Sequence, residues 1–170
     1  MAETPDFEQL LAEYHAPLGR LCYFYFAGDP DAQKDLYQEI SIAIWRALPG
    51  YRGEASVRTW LYRVAHNVAL THRRKQRRHA GLFKFSDPAE LTRRPAPQSD
   101  AVADDRWLAL RSAIFELAAE DRQLMLLHLE GLSLAEIEAV SGIRAGTVAT
   151  RLSRLRVRLS ERLRGKEARP

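Results

Sequence analysis

Cysteine is almost missing from this chain. Cys22 stands alone among 170 residues, which excludes a disulfide framework and a cysteine-based zinc site. No apolar run reaches the about 18 residues of a membrane span. The acidic start MAETPDFEQLLAEYH lacks the apolar centre of a signal peptide. These absences point to a cytoplasmic protein. Gly-rich phosphate loops, paired-carboxylate sites and nucleophile motifs are missing as well. An enzyme is therefore the least favoured reading, and neither a catalytic residue nor a cofactor is expected. His66, His72 and His79 hint at a metal site, but they sit among cations with no carboxylate close in sequence, so no metal is expected.

What is present is charge, unevenly laid out. The formal net charge is +4. Residues 1–50 are net −5, residues 51–94 net +8, residues 95–142 net −6 and residues 143–170 net +7. Two acidic blocks alternate with two basic ones, and each basic block ends a helical pair. Paired basic blocks of this kind are the footprint of a polyanion partner, here read as nucleic acid.

The periodicity is helical throughout. It covers about 6–27, 31–48, 56–78, 104–118, 121–130, 134–141 and 145–163, and no stretch keeps a strand alternation. Between residues 81 and 103 the pattern stops at a segment with Pro88, Pro95 and Pro97, a linker composition. The expected fold is all-α: two small helical domains at 1–80 and 104–170, joined by a flexible linker at 81–103.

The C-terminal part holds the clearest motif. In LSLAEIEAVSGIRAGTVATRLSRLRVRL, Ser133 caps a short helix and Gly142 makes a left-handed turn. A second helix begins near Ala145, giving a helix-turn-helix. Its apolar stripe is Val148, Leu152, Leu155, Leu159 and Leu163. Thr147, Arg151, Arg154 and Arg158 share the adjacent face, where a recognition helix meets base edges and phosphates.

The N-terminal part adds two helices. One has a core stripe of Leu36, Ile40, Ala43 and Ala47. Its second ridge, Asp35, Gln38, Glu39, Ile42 and Arg46, mixes apolar and polar residues and reads equally as a protein-docking surface and as a solvated helix face. The other starts at the N-cap Ser56 and buries Val57, Trp60, Leu61, Val64, Ala65 and Val68. Trp60, Arg63, Asn67 and Arg74 line its flank. Trp60, at the stripe's edge, reads equally as core and as a surface residue.

DLYQEISIAIWRALPGYRGEASVRTWLYRVAHN, followed by a basic run, resembles region 2 of the sigma-70 family of bacterial transcription initiation factors. LEGLSLAEIEAVSGIRAGTVATRLSRLRVRL is similar to region 4. With these two regions and a linker, the chain resembles the extracytoplasmic-function group. The resemblance implies a factor that binds core RNA polymerase, directs it to promoters through the −35 and −10 elements and assists melting. Asp35, Leu36, Gln38, Glu39 and Trp45 match the segment that grips the polymerase clamp helices, with Trp45 expected to act largely through packing. Gly53 to Trp60, with Ser56 and Arg58, matches the segment that handles the melted −10 element. Trp60 to Arg78, with Arg63, Asn67, Arg73 and Arg74, matches the −10 reading helix, and Lys75, Arg77 and Arg78 stand behind for the backbone. Arg144 to Arg158, including Thr147, Arg151 and Arg154, matches the −35 reading helix. The family also implies an anti-sigma factor as a partner.

The chain departs from the family pattern at Ser41, Thr71, Ala149 and Ala118–Ala119, the last in place of a usual Leu-Pro helix start. Thr71 and Ala149 touch the expected reading surfaces, so the promoter sequence does not transfer from a relative. Two other readings stay open: a DNA-binding regulator that never enters polymerase, and a mimic that binds only a regulatory protein.

Overall fold

The computed structural model describes residues 5–26, 29–80 and 105–167, with side chains for all of these except 76–80, 105–108 and 165–167. The expected linker lies outside the described residues, as do the side chains of Arg77, Arg78 and His79. The described chain is helical: α1 Phe7–Tyr25, α2 Pro30–Ala47, a 3-10 turn Leu48–Gly50, α3 Val57–Ala80, α4 Asp105–Phe115, α5 Ala119–Leu129, α6 Leu134–Ser141 and α7 Ala145–Glu167. Among the described residues there is no strand.

Local chemistry sets the helix ends. Asp6 accepts from the Gln9 N–H and Asp29 from the Ala32 N–H, each at 3.0 Å. Pro30 opens α2 where a missing N–H costs nothing. Ser56 accepts from the Thr59 N–H at 3.1 Å and caps α3 as the sequence predicts. Ser133 and Glu136 form a capping box on α6. Gly142 ends that helix at φ +73°, a left-handed conformation in which a side chain is strained. The Ala145 N–H at the start of α7 then donates to Glu138 Oε2 at 2.8 Å. Helix α5 starts without a side-chain cap, at Ala118, one of the departures from the family pattern. Glu120 and Asp121 in its first turn favour the positive helix end.

Helices α1, α2 and α3 pack on one another, and α7 packs on α4, α5 and α6. The core stripe of α2 is Ala32, Leu36, Ile40 and Ile44, all buried. The expected Ala43 and Ala47 are only half-buried, at the edge of that stripe. In α7, Val148, Leu152, Leu155 and Leu159 are buried as expected, with Leu163 half-buried.

The two halves also pack against each other. Helix α3 lies on α6, and α1 on α5. The Phe24 ring stacks on Phe115 with centroids 5.3 Å apart. Arg20 holds Glu130 through two contacts of 2.5 and 2.8 Å. Tyr62 Oη donates to Glu130 Oε2 at 3.0 Å. This explains why α3 is buried beyond its predicted stripe. Thr59, Tyr62 and His66 face the C-terminal half and are buried there.

His66 corrects one expectation. It does not sit in a cationic surface but at 5% exposure between the halves. Tyr25 Oη lies 2.9 Å from its Nδ1, and the Gln123 amide nitrogen 3.0 Å from its Nε2. Burial, then the nearby Arg73 charge, lowers its pKa to about 4. Above about pH 6.5 the ring is neutral folded and unfolded, and the packing is fully available. Between there and pH 4 only the unfolded chain takes the proton, so stability falls as pH falls. Urea unfolding at pH 7.5 and pH 5 is expected to show a loss on the order of 1–2 kcal/mol that His66→Gln lacks. An identical loss in the variant refutes this assignment.

Candidate functional site

The α2 ridge is largely as expected. Asp35, Gln38, Ile42 and Arg46 are exposed. Glu39 is half-buried because its carboxylate reaches α3, with Oε2 3.0 Å from His72 Nδ1 and Oε1 3.8 Å from Lys75 Nζ. His72 thus has a carboxylate partner that only folding brings near. Leu36 is fully buried, as its place in the core stripe predicts, so it supports the ridge from beneath. One expectation is corrected. Trp45 is 61% exposed and stands out of the core, beside Ile42 at 40%. Residues three and four apart share a helix face, so Ile42 and Trp45 form an apolar centre with Asp35, Gln38 and Arg46 at its rim.

Between α2 and α3 the chain turns through Gly53 at φ +74°, and Tyr51 Oη donates to the Ala55 carbonyl at 2.7 Å. The loop borders an open cleft of about 320 Å³ lined by Gly50, Tyr51, Arg52, Glu54, Ala55, Trp60 and Arg63. The Tyr51 and Trp60 rings meet at 5.3 Å, tilted by 57°. Trp60 is only 8% exposed, so it is part of the wall and does not project. Of its two readings, the burial matches the core one. Sequence reasoning missed Tyr51 and Arg52, although the flanking Gly50 and Gly53 mark the loop.

At about 100° per residue, the expected −10 residues split between two sides of α3. Trp60, Arg63, Asn67 and Arg74 share one flank, the last three exposed. Thr71 lies on that flank and donates from Oγ1 to the Asn67 carbonyl at 2.9 Å. Arg58 and Arg73 lie on the side facing the C-terminal half. Arg58 Nη2 contacts Glu136 Oε1 and the Gly131 carbonyl, each at 3.3 Å. Arg73 lines a small cavity with Tyr25, Arg122 and Gln123. Ser56 is spent on the α3 cap.

On α7, Arg144, Thr147, Arg154 and Arg158 are exposed. Arg151 shares their face but is half-buried. Its Nε lies 3.1 Å from Asp121 Oδ1 and its Nη2 3.4 Å from Glu120 Oε2, so it braces α7 against the start of α5. Arg154 and Arg158 carry no ion pair among the described residues. No group of three or more His, Cys, Asp or Glu among the described residues is placed to hold a metal. No described helix is long and apolar enough to cross a membrane.

Comparison with known proteins assigns both halves. Residues 10–79 match the sigma-70 region 2 family and residues 107–159 the sigma-70 region 4 family. The chain is 30% identical to the RNA polymerase sigma-H factor of Pseudomonas aeruginosa, over 92% of this chain and 86% of that one. It is 28% identical to the ECF RNA polymerase sigma factor SigM of Mycobacterium tuberculosis, over 92% and 76%. Its fold is that of the sigma factor RpoE solved with the anti-sigma factor NepR from Bartonella quintana, at TM-score 0.76, 24% identity and coverage of 94% and 97%. It also resembles the structure of CnrH with the cytosolic domain of CnrY, at TM-score 0.64, 23% identity and coverage of 94% and 88%.

The α7 geometry separates its arginines. Arg151→Ala is expected to cost about 0.5–1 kcal/mol of unfolding free energy, while Arg154→Ala and Arg158→Ala stay within about 0.5. Urea midpoints measure this, and equal effects at all three positions refute the brace.

Proposed function

The chain belongs to the extracytoplasmic-function group of the sigma-70 family, a promoter-specific transcription initiation factor, and from this premise we propose how its surfaces divide the work. Residues 1–80 dock on core polymerase and open the −10 element, residues 104–170 read the −35 element, and residues 81–103 connect them. It acts in the cytoplasm beside polymerase, as a regulator without catalysis or cofactor of its own.

The observation that carries the melting step is the aromatic cavity at the head of α3. Taking a base out of the stack costs a few kcal/mol, and stacking on an aromatic face returns about 1–3 kcal/mol per base. Tyr51 and Trp60 supply aromatic walls, Arg52 and Arg63 supply cations, and Asn67 can meet a base edge. A strand that has opened is therefore trapped, and the duplex does not reclose. On α7, Arg144 and Thr147 at the helix start face base edges, while Arg154 and Arg158 lie further along for bases or phosphates. Arg151 orients the helix through its acidic brace and contacts DNA only if that brace yields. The α2 ridge around Gln38, Ile42 and Trp45 meets polymerase, with Glu39 and Arg46 at its edge. The solved complex of a like-folded sigma factor with an anti-sigma factor supports a regulatory partner of that kind here.

Run-off transcription with core polymerase and a promoter library tests the whole reading. Trp45→Ala is expected to weaken core binding at least tenfold while leaving the fold intact, because a side chain this exposed adds little stability. Core binding at the normal level moves the docking surface elsewhere.

Arg63→Ala and Asn67→Ala separate melting from duplex binding. Both are expected to slow open-complex formation, followed by a fluorescent base analogue in the −10 element, and to leave −35 duplex binding unchanged. A promoter with a pre-melted −10 segment is expected to restore much of the loss in opening rate. Normal opening by both variants removes this flank of α3 from the melting step.

A further inference from the structure

The basic run of α3 sends one cation away from the reading flank. Arg73 is half-buried and lines a cavity of about 40 Å³ together with Tyr25, Ala119, Arg122 and Gln123. No carboxylate is among the residues that line it. Two guanidiniums thus border one small space with no counterion there among the described residues.

Arg122 is held by neutral groups. Its Nη2 donates to the Phe115 carbonyl at 2.5 Å and the Leu117 carbonyl at 3.1 Å, and its Nη1 to the Phe24 carbonyl at 3.3 Å. Carbonyls satisfy donors but do not cancel a charge. Its Nε is buried and has no hydrogen-bond partner among the described residues, a costly condition for a donor on a charged group. Burial, and then the charge of Arg73, lower the Arg122 pKa, as two like charges in a poorly solvated place must. The other polar groups of the lining are already engaged: Tyr25 Oη and the Gln123 amide both lie on His66.

The third wall is a helix start. Ala119 opens α5, and Ala118 before it offers no side-chain cap. The first N–H groups of a helix lack partners within it and mark its positive end, a geometry that takes oxyanions. The carboxylates of that turn, Glu120 and Asp121, reach instead for Arg151 on α7.

We propose that this cavity is a binding site for a phosphate-class oxyanion, held by the Arg73 and Arg122 guanidiniums and the N–H groups that start α5. A water needs about 10–15 Å³ of such space, so there is room for roughly three waters or one tetrahedral oxyanion. A nucleoside is too large, and only the phosphate end of a nucleotide enters. Guanidiniums favour an oxyanion over a spherical halide, because their donors match paired oxygens. Arg63, Asn67 and Arg74 lie on the other flank of α3, so the anion leaves them free. Such a site stands whether or not α3 and α7 read DNA.

The test uses the full chain without DNA or polymerase. Thermal unfolding is followed in chloride and in inorganic phosphate at matched ionic strength. Phosphate at about twenty times a dissociation constant on the order of 1 mM is expected to raise the melting temperature by about 4–7 °C, and the rise is expected to saturate. Arg73→Gln is expected to lose most of that rise. In chloride the same variant is expected to melt no lower than the native chain, since it relieves the repulsion on Arg122. Arg122→Gln is expected to lose the rise as well. Should it fail to fold, because Arg122 also holds three carbonyls, Arg73→Gln still decides. A nucleoside triphosphate at the same concentrations separates the sources. Protection by phosphate assigns a free anion, and protection by the triphosphate only assigns a nucleotide's phosphate end; either supports the site if Arg73→Gln abolishes it. An equal rise in the native chain and Arg73→Gln is a general salt effect and overturns the site, as does the lack of a saturable rise with both compounds.

Discussion

The Glu136 carboxylate accepts from two sides at once. Oε2 takes the Ser133 N–H and hydroxyl, each at 2.8 Å, and Oε1 takes Thr59 Oγ1 and the Arg58 guanidinium. The Ser133 contacts, followed by Thr59 and Arg58, hold its pKa down at about 2. One side chain therefore ends the orphaned donors of α6 and fixes α6 against the first turn of α3. The position of α6 sets Gly142 and so the start of α7, whose N-terminus is closed by Glu138 of the same short helix. Helix α7 is thus oriented through α6, and α6 through a single carboxylate shared with the N-terminal half.

Much of this was legible in the sequence because it rests on local rules. Ser56, Ser133 and Gly142 mark helix ends by short-range chemistry, and the structure places the caps and the left-handed turn there. The leucines of α7 report their own burial through spacing. The seam between the halves was not legible. Its partners are polar and far apart in sequence, 110 residues for Arg20 and Glu130 and 77 for Thr59 and Glu136. Polar pairs carry no periodic signal, so nothing singled out Tyr62, and His66 stood out only as one of three histidines among cations. Trp45 failed for the opposite reason. Its size suggested packing, yet α2 fills its core stripe with Ala32, Leu36, Ile40 and Ile44 and leaves the indole outside. Glu39 and His72 were unpaired on paper because one lies on α2 and the other on α3.

Helix α3 carries three duties on three sides. One side packs on α2 and holds the N-terminal half together. A second carries Arg63, Asn67 and Arg74 beside the Tyr51–Trp60 cavity. The third meets the C-terminal half through Arg58, Thr59, Tyr62 and His66. A helix covered on one face would need no such mixture, and this is why the apolar stripe, the aromatic edge and the cations crowd into one short stretch. Trp60 sits where the first two duties meet. Most of its ring is covered, which holds it in place, and its remaining surface faces the cavity. An aromatic wall whose rotamer is already fixed loses less entropy on stacking than a free side chain would.

The same economy bears on the seam. An interface built from leucines would bury apolar area worth about 25 cal/mol per Å² and would close the two halves firmly. Here the aromatic contact centres on Phe24, Tyr23 and Phe115, the buried apolar residues of both halves form one cluster, and charged and amide pairs run beside it. Charged pairs near water contribute little net energy, because solvent takes over each partner when they separate. They still demand a particular geometry to form at all. The charged pairs therefore specify how the halves meet while adding little to hold them there. Arg58, whose guanidinium suits a phosphate as well as a carboxylate, is held here by Glu136 and the Gly131 carbonyl.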